Sequence, residues 1–119
     1  MISEGTLKIA IIDDNPYPRS IVASFFKKKG IDEITEFSSP DHIKDEEYIF
    51  LELDFDSKMN GKKAIEFIKD NDLKKCIVVA FPGEEKIVEK AIDNGAVDFL
   101  MKPISEDSFE RIYKKFFSK

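Results

Sequence analysis

The chain has 119 residues, enough for one domain with its own core and too few for two. Hydrophobic residues make up 42% and charged residues 36%, a balance that excludes a disordered chain. The formal charge of −5 argues against nucleic-acid binding driven by net charge. No apolar run approaches the roughly 20 residues of a membrane span, and Met1-Ile-Ser-Glu-Gly5 lacks the basic start and apolar stretch of a signal peptide. A cytoplasmic location is predicted.

Residues 7–12 are apolar on both parities apart from Lys8, as a central parallel strand requires. Asp13-Asp14-Asn15-Pro16 ends that strand and opens a helix, with Asn15 as its cap and Pro16 at the first helical position. The helix is predicted to run to about Lys29, burying Ile21, Val22, Phe25 and Phe26. Lys27-Lys28-Lys29 followed by Gly30 suits a helix C-terminus better than a patch for an anionic partner. Residues 34–37 form a short strand, which Ser38-Ser39-Pro40 breaks. Only residues 41–47 remain before the next strand, so a second helix has one or two turns at most. His42, with no partner pattern around it, is read as a surface residue.

The run Tyr48-Ile-Phe-Leu51 stops abruptly in acid: Glu52, Asp54 and Asp56, with Leu53 and Phe55 between them. It reads as a buried strand that delivers carboxylates to its C-terminal end. Beside a strand ending in Asp13-Asp14, it would gather several acids at one edge, which is costly unless a cation sits among them. After Asn60-Gly61, residues 62–70 form a helix with Ala64, Ile65 and Ile68 inward. Residues 76–81 are a further buried strand, with Cys76 a reduced core residue. Pro82-Gly83 turns the chain, and residues 84–94 form a helix with Ile87, Val88, Ala91 and Ile92 as its stripe, stopped by Gly95. Residues 98–101 are the last strand, Lys102-Pro103 its exit, and residues 105–117 the final helix, with Phe109, Ile112 and Phe116 inward. Five βα units imply a parallel sheet covered on both faces, with ligands at the carboxyl ends of its strands. Asp13, Asp14, the 52–56 cluster, Ala80, Phe81 and Lys102 all fall there.

With Asp13-Asp14, Asn60-Gly61, Gly95-Ala-Val-Asp-Phe99 and Lys102-Pro103 in order on five βα units, the chain resembles the receiver domain of two-component response regulators over essentially its whole length. The resemblance implies a flavodoxin-like α/β fold, three-layer (βα)5, with sheet order 2-1-3-4-5. It implies one receiver-like domain over residues 1–119 with no output domain. It also implies an aspartate ending the third strand that accepts a phosphoryl group as an acyl phosphate, with self-phosphorylation and autodephosphorylation as the only catalysis. Mg²⁺ would be held by Asp13 and Asp14 together with the acceptor, while Lys102 would supply fixed positive charge to a phosphoryl oxygen. The Lys102–Pro103 bond would be cis. For an active site, the implied partners are a sensor histidine kinase or phosphotransfer protein. Other signalling proteins, or a second copy in a homodimer, would use the fourth helix, fifth strand and fifth helix. Neither nucleic acid nor membrane is implied.

Two positions depart from the family pattern. Ala80 stands where a receiver has a switch Ser or Thr, although the partner aromatic, Phe99, is present; its plainer reading is core packing. The acceptor position has two registers. One aligns Asp54, shortens the following loop by a residue and leaves Glu52 deeper on the same face, where a buried charge is expensive. The other aligns Glu52, reached through Glu47-Tyr-Ile-Phe-Leu51, and gives Asp54 a metal-binding carbonyl. Strand parity favours Glu52, because loop length varies more easily. The functions on offer are then a phosphorylatable receiver, impaired or atypical in its switch, or a pseudo-receiver acting as a protein-interaction module. A remote third is a haloacid-dehalogenase-like phosphatase with Asp54 as nucleophile and Asp56 as general acid. A flavodoxin-like nucleotide binder is disfavoured, since no Gly-rich loop follows the first strand.

Overall fold

The computed structural model describes residues 7–53 and 61–117. Among them lie strands β1 (Ile9–Ile12), β2 (Ile34–Phe37), β3 (Tyr48–Glu52), β4 (Lys75–Ala80) and β5 (Asp98–Met101). The α-helices are α1 (Pro16–Lys28), α2 (Lys62–Asp70), α3 (Glu85–Asp93) and α4 (Glu106–Phe116). All pairings are parallel, in the order β2-β1-β3-β4-β5, the flavodoxin-like arrangement that the alternation of elements and the family resemblance imply. A single 3-10 turn, Pro40–His42, stands where a short second helix was expected; it buries no residue, so no apolar face extends it.

The pleat divides the core in two. Ala10, Ile12, Ile49, Leu51, Cys76, Val78 and Ala80 face α2 and α3, while Ile9, Ile11, Phe50, Ile77, Val79 and Leu100 face α1 and α4. On the second face Phe26 of α1 packs edge-on against Phe50, Phe109 and Phe117, with ring centroids 5.5, 4.8 and 5.1 Å away. Helix α1 is turned slightly from its predicted stripe: Val22, Ala23 and Phe26 are buried, and Ile21 and Phe25 sit at the margin. In α3 the centre of the stripe, Val88 and Ala91, is buried, while Ile92 at its edge is 39% exposed. Cys76 is a buried free thiol, pushed up to about 11 by burial.

The helix ends follow local chemistry. The Asn15 side chain accepts from the Tyr17 N–H at 3.0 Å, with Pro16 opening α1. Ser105 and Ser108 close a reciprocal capping box on α4. Gly61 heads α2 at φ 78°, and a Cβ there would meet Ile87 Cγ2 at 2.6 Å. A Gly61→Ala variant is therefore expected to lose about 1–2 kcal/mol, read from the urea midpoint at constant slope.

Asp98, the first residue of β5, is buried and takes two cations from α4. Arg111 Nη1 lies 3.1 Å and Lys115 Nζ 2.8 Å from its Oδ2, and the Phe99 N–H donates to Oδ1. Burial works to raise the carboxyl's pKa, but the hydrogen bonds from Arg111 and Lys115 outweigh it and hold it below the ordinary 3.8. A carboxyl depressed on folding stabilises above its unfolded pKa and loses that contribution as pH falls through the folded one. Asp98→Asn should therefore cost about 2 kcal/mol at neutral pH. That gap to wild type should narrow in denaturant melts once the pH drops below 3.8.

Candidate functional site

Strand register carries the charged residues to one place. Ile12 pairs with Leu51, so Asp13 and Glu52 come next on adjacent strands, and Glu52 pairs with Val79 on β4. Asp13, Glu52 and Lys102 share the parity of Ile11, Phe50 and Leu100, so all three turn toward the α1 and α4 side. Lys102 crosses the end of β4 to reach them, and β4 ends at Ala80. The Lys102 N–H donates to the Ala80 carbonyl at 2.7 Å, tying the exit of β5 to the end of β4.

The result is a buried ion cluster. Lys102 Nζ lies 3.0 Å from Asp13 Oδ2 and 3.4 Å from Glu52 Oε2. Asp13 and Glu52 are each 3% exposed and Lys102 is 8% exposed, whereas Asp14 faces solvent. The other Asp13 oxygen accepts the Asn15 N–H at 2.9 Å, and the Arg19 guanidinium donates to the Asp13 carbonyl at 2.5 Å. Each of Asp13, Asp14 and Glu52 offers a carboxylate oxygen, all within 4.8 Å of one another. Three carboxylates against one ammonium leave a surplus of negative charge among hard oxygen donors. That donor set fits a divalent cation such as Mg²⁺.

Glu52 feels the crowding most. Burial pushes its carboxyl up to about 7; Lys102 pulls it down, and the Asp13 charge adds to the rise. A carboxyl raised on folding stabilises fully below its unfolded value of 4.5 and loses that contribution as pH climbs through the folded one. Thermal melts of wild type and Glu52→Gln in chelator, from pH 5 to 8, are expected to diverge in favour of the variant as pH rises. The difference should reach about 3 kcal/mol at most. A pH-independent difference would contradict this account.

Of the other positions singled out from sequence, Ala80 is buried at the end of β4, and the Lys102–Pro103 peptide is cis. Phe99 is 38% exposed, so the core-packing reading fails; the Arg111 guanidinium lies 5.5 Å from its ring and donates to its carbonyl at 2.8 Å. Asp54, Asp56 and Asn60 lie outside the described residues, so only Glu52's place is given. Sequence reasoning missed one contributor and misassigned another. Arg19, one turn into α1, carries no motif to mark it. Phe81 was counted as the last residue of a buried strand, but β4 ends at Ala80, and Phe81 is 53% exposed with its ring 4.5 Å from Lys102 Nζ. The Pro82-Gly83 turn directly after it is the signal that could have placed it outside the strand.

Comparisons with known proteins bear on the family and the fold. The sequence pattern of the response regulator receiver domain matches residues 9–114. The transcriptional regulatory protein MalR of Bacillus subtilis (strain 168) is 29% identical over 114 residues. That match covers 87% of this chain and 47% of MalR, so the chain spans about half the length of that relative. Among solved structures, the receiver domain of NtrX from Brucella abortus superposes with a TM-score of 0.77 at 21% identity, covering 91% of this chain and 96% of that one. The REC domain of AraT, a response regulator from Geobacillus stearothermophilus, gives 0.75 at 17% identity, covering 92% and 91%. At those identities the structures speak for the fold, and the sequence pattern speaks for the family. The chain belongs to the response regulator receiver domain family.

Proposed function

We propose that this receiver domain of two-component signalling acts as a phosphorylation-independent interaction module, with Glu52 in the acceptor position. The observation that carries this reading is the Glu52 carboxylate, at the end of β3 and 3.4 Å from Lys102 Nζ. A glutamate is one methylene longer than an aspartate. Its carboxylate therefore reaches the ammonium and takes the place a phosphoryl oxygen would otherwise have beside it. Ala80 has no hydroxyl to bond a phosphoryl group, so the usual coupling from site to surface lacks its first member. Asp13, Asp14 and Glu52 would hold Mg²⁺, which when bound neutralises the surplus negative charge of the cluster. Asp13 and Glu52 orient Lys102, and Arg19 and the Asn15 N–H hold Asp13 in turn.

Partners follow from the family: a histidine kinase or phosphotransfer protein, and other signalling proteins through α3, β5 and α4. These are this chain's counterparts of the surface the resemblance assigns to the fourth helix, fifth strand and fifth helix. The competing assignment keeps a working receiver, with Mg²⁺-dependent phosphoryl acceptance on Asp54. Incubation with acetyl phosphate and Mg²⁺, followed by intact-mass measurement, separates the two. No phosphoryl adduct is expected. An adduct that Asp54→Ala abolishes would overturn the proposal in favour of Asp54.

A further inference from the structure

Lys102 is buried, yet it lies at the edge of a cavity of about 530 Å³ that opens to solvent between the start of α1, the exit of β4 and the exit of β5. Its walls include Tyr17 and Ile21 on one side and Phe81, Pro103 and Ile104 on the other. A cavity of that size would ordinarily expose a lysine at its floor. What stands over the ammonium is an aromatic ring: Phe81, its centroid 4.5 Å from Nζ. The geometry is that of a cation–π contact, in which the ring face partly replaces the water a charged amine would otherwise hold.

Phe81 is itself held in place. Its N–H donates to Glu84 Oε1 at 2.8 Å, which fixes the backbone at the turn just after β4. The residue is 53% exposed, so its ring contributes little to the core and can be replaced without emptying a packed site. An apolar ring half in water gains little by being there unless it covers something. We infer that Phe81 is a positioning residue: its ring caps Lys102 from the cavity side, keeping the ammonium on Asp13 and Glu52 and closing that approach to groups from solvent. The inference rests on the reading of Lys102 as the cation of the functional site. It assigns access to that cation to a residue outside the charged cluster.

The test measures access to the amine itself. The folded full chain is pulsed with acetic anhydride, and acetylation of Lys102 and of exposed Lys86 is quantified by peptide mass spectrometry. In wild type, Lys102 is expected to react more slowly than Lys86. In Phe81→Ala it should react roughly threefold faster than in wild type, the factor a half-exposed cation–π contact supplies. Lys86 should be unchanged, and Phe81→Tyr, which keeps the ring, should behave as wild type. Lys102 reacting as fast as Lys86 in wild type would overturn the inference without any variant. So would equal Lys102 rates in wild type and Phe81→Ala, or a Phe81→Tyr rate matching Phe81→Ala. A phosphoryl adduct on Asp54 would sink the proposed function while leaving this labelling pattern intact, so the two failures are distinguishable.

Discussion

The ammonium of Lys102, 3.0 Å from Asp13 and 3.4 Å from Glu52, makes the carboxyl edge of this sheet tenable. Parallel β1 and β3 end side by side, and both end in acid, so folding forces buried carboxylates together. Two such charges in a low-dielectric setting repel strongly, and the burial of each is costly by itself. One lysine reaching across from β5 offsets both. The compensation is incomplete, which is why the Glu52 carboxyl sits near 7, raised first by burial and further by Asp13. The same incompleteness leaves room for a divalent cation.

That lysine is only as well placed as the strand that carries it. Strand β5 is short, Asp98–Met101, and is anchored at both ends. At its start Asp98 is gripped by Arg111 and Lys115 of α4, and at its exit the Lys102 N–H is tied to the Ala80 carbonyl. Arg111 also lies against the Phe99 ring and holds its carbonyl, so the outward position of Phe99 belongs to the same clamp. Site and surface therefore share one rigid element. With alanine at the end of β4, what links them among these contacts is the β5 backbone and its ion pairs, with no hydroxyl taking part.

Much of this was legible beforehand. Runs such as Ile9-Ala-Ile-Ile12 and Cys76-Ile-Val-Val-Ala80 are apolar on both parities, and only a doubly covered parallel strand buries both. Asp13-Asp14 and the acids after Leu51 fall at strand ends by position alone, so their gathering follows from the alternation of strands and helices. What escaped notice depended mostly on contacts between distant segments. Asp98 was read only as part of a motif and of the last strand, yet it is buried with two cations from α4, one helical turn apart, on its carboxylate. Arg19 and Phe81 belong to no motif; Arg19 acts through a hydrogen bond to the nearby Asp13 carbonyl, and Phe81 by lying over Lys102 in another segment.

The sequence by itself determined the fold, because hydrophobic periodicity, caps and turn residues are local properties that point to one arrangement of five strands. It also determined which residue types reach the carboxyl edge. It favoured Glu52 over Asp54 for the acceptor position without settling between the two registers. Only the tertiary structure brought the Glu52 carboxylate to Lys102, and only it laid the Phe81 ring over that lysine. Such placements depend on strand register and side-chain reach between segments dozens of residues apart, and no local pattern encodes them.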